Sequence, residues 1–129
     1  MATDLLQIVR STKYPPAAFA FVQRGLDATV RKLYGDPDET DDPHPRHVTG
    51  QQLCLGLRDF AIQQYGLMAG VVLKRWHITS CEDFGHIVFA MIDAGLMHKS
   101  SEDTIHDFVG VFDFAKAFGS ELDLTRTNK

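Results

Sequence analysis

One residue has a type and position that could support covalent catalysis. Cys81 lies at the predicted N-terminus of a helix, where free N–H groups and the helix dipole favour a thiolate. His77 precedes it by four residues and His86 follows it by five, so a general base could lie nearby. The same position suits a small buried residue in a turn, and no oxyanion donor or third orienting group can be named. A small cysteine-dependent enzyme is therefore one interpretation, but we assign no catalytic residue.

Metal-ligating residue types occur in two places without the spacing of a metal site. His44 and His47 lie among acidic residues, and Glu82 and His86 are four residues apart. A structural zinc site takes four ligands, usually including cysteine pairs, and the chain has two cysteines in all. The sequence therefore predicts no metal and no cofactor.

Charge is unevenly distributed along the chain, whose net charge is −4. Residues 1–34 carry five bases and two acids, whereas residues 36–42 carry five acids. From residue 77 onward there are nine acids and four bases. This asymmetry allows electrostatic pairing with a partner or between two copies of the chain.

Helical spacing then indicates two candidate partner-binding surfaces. The first is a face of the second predicted helix, where an aromatic residue lies among bases: Phe21, Arg24, Arg31 and Lys32. Such a face could contact RNA, an acidic protein or a second copy of the chain. The second surface is acidic and lies on the fifth predicted helix: Glu82, His86 and Asp93. The alternative is that both faces are simply solvated and that the first helix covers Phe21.

The elements that carry these residues are predicted to be helices. A short first helix covers residues 4–12, and a second follows Pro15 and Pro16 because proline is tolerated in a first helical turn. Its expected buried stripe is Phe19, Val22, Leu26, Val30 and Leu33. Thr49 and Gln52 have the spacing of a capping box for a third helix. That helix is expected to be largely buried through Leu53, Leu55, Leu57, Phe60, Ala61, Ile62 and Tyr65.

The second half of the chain continues in the same way. A fourth helix over residues 67–76 is expected to bury Met68, Val71, Val72 and Trp76. Thr79 or Ser80 caps a fifth helix, which ends near Gly95. Short helical segments follow, containing Ile105, Phe108, Phe112, Phe114 and Phe118.

Residues 67–97 also have the order of a winged-helix domain, with a helix, a turn, a capped helix and a Gly-Leu step towards a strand. In such a domain, the second helix reads DNA through basic or amide side chains. Here the corresponding positions are Gly85, His86, Phe89 and Ala90. The nearby acids Glu82, Asp83 and Asp93 would be repelled by phosphates. Sequence-specific DNA binding is therefore not expected.

The predicted organisation is one all-α domain of five to seven helices over residues 1–120, possessing 44% hydrophobic and 23% charged residues. Residues 35–46, with three prolines and five acids, are expected to form a mobile loop, and residues 121–129 a polar tail. The N-terminus lacks the features of a signal peptide, and the longest uncharged apolar run, residues 66–73, is too short to span a membrane.

Four short motifs give the chain a resemblance to known proteins. They are Tyr14-Pro15-Pro16, His47-Val48-Thr49-Gly50-Gln51, Glu82-Asp83-Phe84-Gly85 and Asp93-Ala94-Gly95-Leu96. With these motifs the chain resembles a family of short bacterial proteins that are known by a genome-locus label and whose function is unknown. The resemblance implies a compact protein of the bacterial cytoplasm and carries over no functional residue.

Taken together, these observations favour a non-enzymatic protein-interaction module of the bacterial cytoplasm, with a protein partner that could be a second copy of the chain. An RNA- or ribosome-associated protein that uses the basic N-terminal half is the first alternative. The small cysteine-dependent enzyme is the second.

Overall fold

The structure, a computed structural model, describes residues 2–35, 48–95 and 105–118. These residues form helices and turns and contain no strand, which confirms the predicted compact all-α fold. The helices are α1 (Ala2–Ser11), α2 (Pro16–Tyr34), α3 (Gly50–Tyr65), α4 (Ala69–Arg75), α5 (Cys81–Asp93) and α6 (Phe114–Phe118). Two 3₁₀ turns, Gly66–Met68 and Ile105–Phe108, precede α4 and α6. Most of the predicted acidic loop, Leu96 of the Gly-Leu step after α5 and the polar tail lie outside the described residues.

Local capping signals determine where the long helices begin. Pro16 opens α2 directly after an extended Pro15. At the start of α3, the Gln52 backbone N–H donates to Thr49 Oγ1 at 3.1 Å, and the Thr49 N–H donates to Gln52 Oε1 at 2.9 Å. Ser80 is the N-cap of α5. These helix starts match the sequence prediction because each depends on residues within one turn.

Helices α2 and α3 pack closely against each other. Their contacts show that they are antiparallel, since earlier residues of α2 meet later residues of α3. Gly25 lies against Leu57, and Gly56 lies against Thr29. A methyl group at Gly56 would stand 2.0 Å from the Thr29 hydroxyl, so the two backbones approach closely only because a glycine is present there. This close contact sets the position of α2 relative to α3.

Aromatic side chains fill the centre of the domain around α2. The Phe21 ring lies 5.4 Å from Phe60 and 5.5 Å from Trp76, measured between centroids. Tyr65 stands edge-on to Trp76 at 6.0 Å. These rings join α2 to the end of α3 and to the turn that follows α4.

A second aromatic group closes the domain from the C-terminal side. Phe108 and Phe118 are buried, and Phe114 lies 5.7 Å from Phe84 of α5. Phe112 and Phe114 stack at 5.0 Å. The C-terminal segment is therefore part of the core and holds α4 and α5 in place.

Candidate interaction surface

The structure corrects one member of the basic surface predicted on α2. Phe21 is 0% exposed and belongs to the core. The predicted stripe placed only one side of α2 against the core, whereas α2 contacts both α3 and α5 and buries a wider arc that also includes Gly25 and Thr29. The rings of Phe60 in α3 and Trp76 in the turn after α4 pack against Phe21. It cannot present an aromatic ring to a partner.

The three predicted cations on α2 are exposed, but two of them have acidic partners. Arg31 pairs with Asp27 one turn earlier at 3.4 Å, and Lys32 pairs with Asp59 of α3 at 3.5 Å. Arg24 is exposed and has no ion-pair partner in the described part of the chain. The α2 face therefore carries little excess positive charge for an anionic partner.

The acidic surface predicted on α5 is exposed as expected. Glu82, His86 and Asp93 all lie on the solvent side of the helix. Between them, Phe89 turns inward against Phe108, with the two rings 6.1 Å apart. The exposed part of α5 is thus polar, and it offers no large apolar anchor.

A third surface, which the sequence pattern does not predict, lies on the 3₁₀ turn Gly66–Met68 and α4. Leu67 and Met68 are 55% and 54% exposed, and Val71, one helical turn further on, is 40% exposed. The prediction that Met68 and Val71 belong to the core is therefore wrong. Helix α4 has seven residues and meets the core through Ala69 and Leu73, which leaves its other side open.

Positive charge extends this exposed side. Lys74 and Arg75 follow Val71 by three and four residues, so all five side chains share one face of the helix. We call this set the α4 stripe: Leu67, Met68, Val71, Lys74 and Arg75. No acid lies between residues 66 and 75, and neither cation of the stripe has an ion-pair partner among residues 2–35, 48–95 and 105–118.

Apolar exposure also extends back onto α3. Ile62 is exposed near the end of that helix, and Leu55 is exposed two turns earlier. The sequence predicts that both are buried, because α3 is apolar on most of its circumference. The fold does not supply enough neighbours to cover that circumference, so α3 presents hydrophobic side chains to solvent at these two positions.

A buried carboxylate joins the start of α5 to the turn before α2. The Tyr14 hydroxyl donates to Asp83 Oδ1, and the Thr79 N–H donates to Asp83 Oδ2 at 2.8 Å. Lys13 lies 3.4 Å from the same carboxylate, and the Ser80 N–H donates at 3.1 Å. Burial raises the pKa of Asp83, but these donors and Lys13 outweigh it and hold the pKa below its ordinary value. Every contact is internal, so this cluster supports the fold rather than a substrate site.

The geometry of Cys81 does not match that of an activated nucleophile. Cys81 begins α5 as predicted, but it is buried, and its thiol donates to the Phe112 carbonyl at 3.4 Å. His77 and His86 are both exposed, and no hydrogen bond joins either to the Cys81 thiol in the described chain. Burial raises the pKa of the other thiol, Cys54. Both cysteines are placed as core residues.

Two further features are absent from the described residues. No group of three or more His, Cys, Asp or Glu side chains is arranged to hold a metal ion there. Across the same ranges, no helix has both the length and the apolar character needed to cross a membrane.

Comparisons with known proteins found nothing similar: a scan against protein-family models, a search of curated proteins and a search of solved structures each returned no match. The resemblance to the bacterial family therefore remains a prediction.

Proposed function

We propose that this chain is a non-enzymatic protein-binding module of the bacterial cytoplasm and that it binds its partner through the α4 stripe. The observation that carries the proposal is the exposure of Leu67, Met68 and Val71 on consecutive turns. Single exposed apolar residues are common on protein surfaces, whereas a contiguous group beside charged residues is typical of an interface. Methionine suits such a surface because its flexible side chain adapts to a partner.

Other features support the same proposal. The two thiols are free and buried, which fits a reducing compartment. An RNA-associated function is less well supported, because Phe21 is unavailable for base stacking and two α2 cations have acidic partners. A cysteine-dependent enzyme is also less well supported, since both thiols lie in the core.

Affinity capture from the cells that make the protein tests this function. Wild type is compared with Leu67→Gln/Val71→Gln, and Val109→Gln is the control because Val109 is 50% exposed on a different segment. We expect one protein to be retained by wild type and the control and to be lost from the double variant, with thermal unfolding unchanged in both. A ligand that disappears after ribonuclease treatment would favour the RNA alternative, and equal retention by all three forms would contradict the proposed surface.

A further inference from the structure

Resting on the proposed function, we infer that the partner of the α4 stripe is an acidic amphipathic helix on another protein. The α4 stripe combines an apolar half with a cationic half on one helical face. A complementary partner would insert apolar side chains against Leu67, Met68 and Val71 and place carboxylates beside Lys74 and Arg75. Helix-in-groove and helix-on-helix recognition use this arrangement, with anchors at i, i+3 or i+4, and i+7.

The dimensions of the surface fit a short helix. From Leu67 to Arg75 the stripe extends about 12 Å, which corresponds to about two turns of a facing helix. Ile62, near the end of α3, is also exposed. Two turns of a partner offer three or four apolar anchors, which is enough for the three exposed apolar side chains of the stripe.

The charge of the α4 stripe indicates that the partner is acidic. Lys74 and Arg75 have no acidic partner within the described chain, and residues 66–75 contain no acid. Elsewhere on the surface, Arg31 and Lys32 are already paired with carboxylates. Arg24 has no acidic partner in the described chain either, but only the stripe places two such cations next to each other and beside exposed apolar side chains, so a partner's carboxylates can pair there without displacing an acid of the described residues.

A second copy of the chain does not supply these carboxylates through the same surface. In a twofold dimer each residue of the shared patch meets the opposite end of the partner's patch. Lys74 and Arg75 would then face the side that precedes Leu67, where α3 ends in exposed Gln63 and Gln64. Such a dimer would bury the apolar residues but leave both cations without an acid.

The probe is a fluorescent helix-forming peptide of about 18 residues, five helical turns, with leucines at i, i+3, i+4 and i+7 and glutamates on both flanks. Its matched control has glutamine in place of every glutamate. We expect the acidic peptide to bind the full chain at least about tenfold more tightly than the glutamine peptide at low salt, and this advantage to disappear at about 0.5 M salt, where charges are screened within a few ångströms.

Protein variants locate the binding surface. Lys74→Glu/Arg75→Glu is expected to weaken binding of the acidic peptide at least about tenfold, because two attractive pairs become repulsive. Arg10→Glu/Arg24→Glu changes the net charge by the same amount on α1 and α2 and is expected to leave binding within about twofold. Circular dichroism and the unfolding midpoint confirm that each variant is folded.

Each alternative outcome contradicts a different part of the inference. Equal affinity for both peptides would overturn the acidic partner and leave an apolar binding surface. Loss of binding in the charge-reversal control variant would move the site to the helices that carry its substitutions. Binding to phosphatidylglycerol vesicles but to neither peptide would replace the protein partner by a lipid surface. If nothing binds, the inference is wrong, while the proposed function is decided separately by the capture experiment.

Discussion

Asp83 shows how a single residue links distant parts of this chain. It lies in the first turn of α5, where the positive end of the helix dipole stabilises a carboxylate. This position can be predicted from the sequence. Its bond to Tyr14 spans 69 residues and has no local signal. A buried carboxylate is tolerated here because several donors replace its lost water. The native packing around Asp83 is therefore stabilised when this carboxylate is ionised.

This ionisation predicts the pH dependence of a Tyr14→Phe variant. Because the folded pKa of Asp83 lies below the ordinary value, its contribution is full above about pH 4 and is lost as the pH falls through the folded pKa. The variant removes one bond to the charged group and is expected to lose about 1.5–3 kcal/mol of unfolding free energy near neutral pH. Urea titrations should show that the difference in unfolding free energy between the variant and wild type becomes smaller as the pH is lowered to about 3.

The control for this prediction is Tyr65→Phe. Tyr65 is half-buried and its ring packs against Trp76, but its hydroxyl has no hydrogen-bond partner in the described chain. Its substitution should change stability little and by the same amount at both pH values. A Tyr14→Phe deficit that stays constant on acidification would show that the hydroxyl does not act through the charge of Asp83.

The two thiols give a second prediction at the scale of residues. Cys54 is fully buried, Cys81 is almost so, and burial raises the pKa of Cys54. We expect a chromogenic disulfide reagent to modify either thiol at least about a thousandfold more slowly in the native protein than in the unfolded chain, since access requires opening of the core. Rapid modification of Cys81 in the native state would instead revive the cysteine-enzyme interpretation.

At the scale of elements, the crossing of α2 and α3 predicts that a glycine-to-alanine change destabilises the protein, whereas helix propensity alone predicts that it stabilises. Alanine is favoured over glycine within a helix by about 1 kcal/mol. At Gly56, however, the new methyl group would meet Thr29, whose hydroxyl donates to the Gly25 carbonyl at 2.7 Å. Gly56→Ala is therefore expected to lower the free energy of unfolding by about 1–3 kcal/mol, measured by denaturant titration.

Two comparisons separate crowding from propensity. Ala20→Gly, on the exposed side of α2, should cost about 0.5–1 kcal/mol by propensity alone. Thr29→Ala combined with Gly56→Ala removes two of the three nearest atoms and should recover part of the loss relative to the sum of the single changes. A stabilising Gly56→Ala would mean that the helices can move apart at little cost.

The same elements show which features a sequence can predict. Helix starts at Pro16 and Thr49 follow from residues within one turn, and they match the structure. Which face is buried depends on how many neighbours a helix meets. The helical spacing places Phe21 opposite a single buried stripe, either exposed or covered by α1, whereas α2 contacts two helices and buries Phe21 directly. The same spacing predicts that Met68 and Val71 are buried, whereas α4 is too short and too peripheral to be covered on both sides. The exposure of the α4 stripe therefore follows from the tertiary structure and not from the sequence pattern.

The whole molecule depends on its C-terminal segment in a way that its short helices do not suggest. Residues 105–118 form only a 3₁₀ turn and five residues of α6, and they would not hold this structure in isolation. They nevertheless supply buried Phe108 and Phe118, and Phe108 packs so closely on α5 that a methyl group at Gly85 would lie 2.8 Å from its ring. Each such side chain contributes about 1.5–3 kcal/mol by burial, and a domain is stable by about 5–15 kcal/mol in total.

A chain that ends at residue 104 is therefore expected to lose its cooperative thermal transition and near-ultraviolet circular dichroism while keeping helical far-ultraviolet signal, as in a loosely packed state. Adding a peptide of residues 105–118 should restore both signals in a concentration-dependent way, because binding of the missing segment is coupled to folding of the rest. The control ends at residue 120, and it should unfold like wild type because the sequence predicts only a polar tail beyond that point. If the shorter chain unfolds cooperatively with a midpoint only slightly lowered, then α2, α3 and α5 form a self-sufficient core and the C-terminal aromatic residues merely cover it.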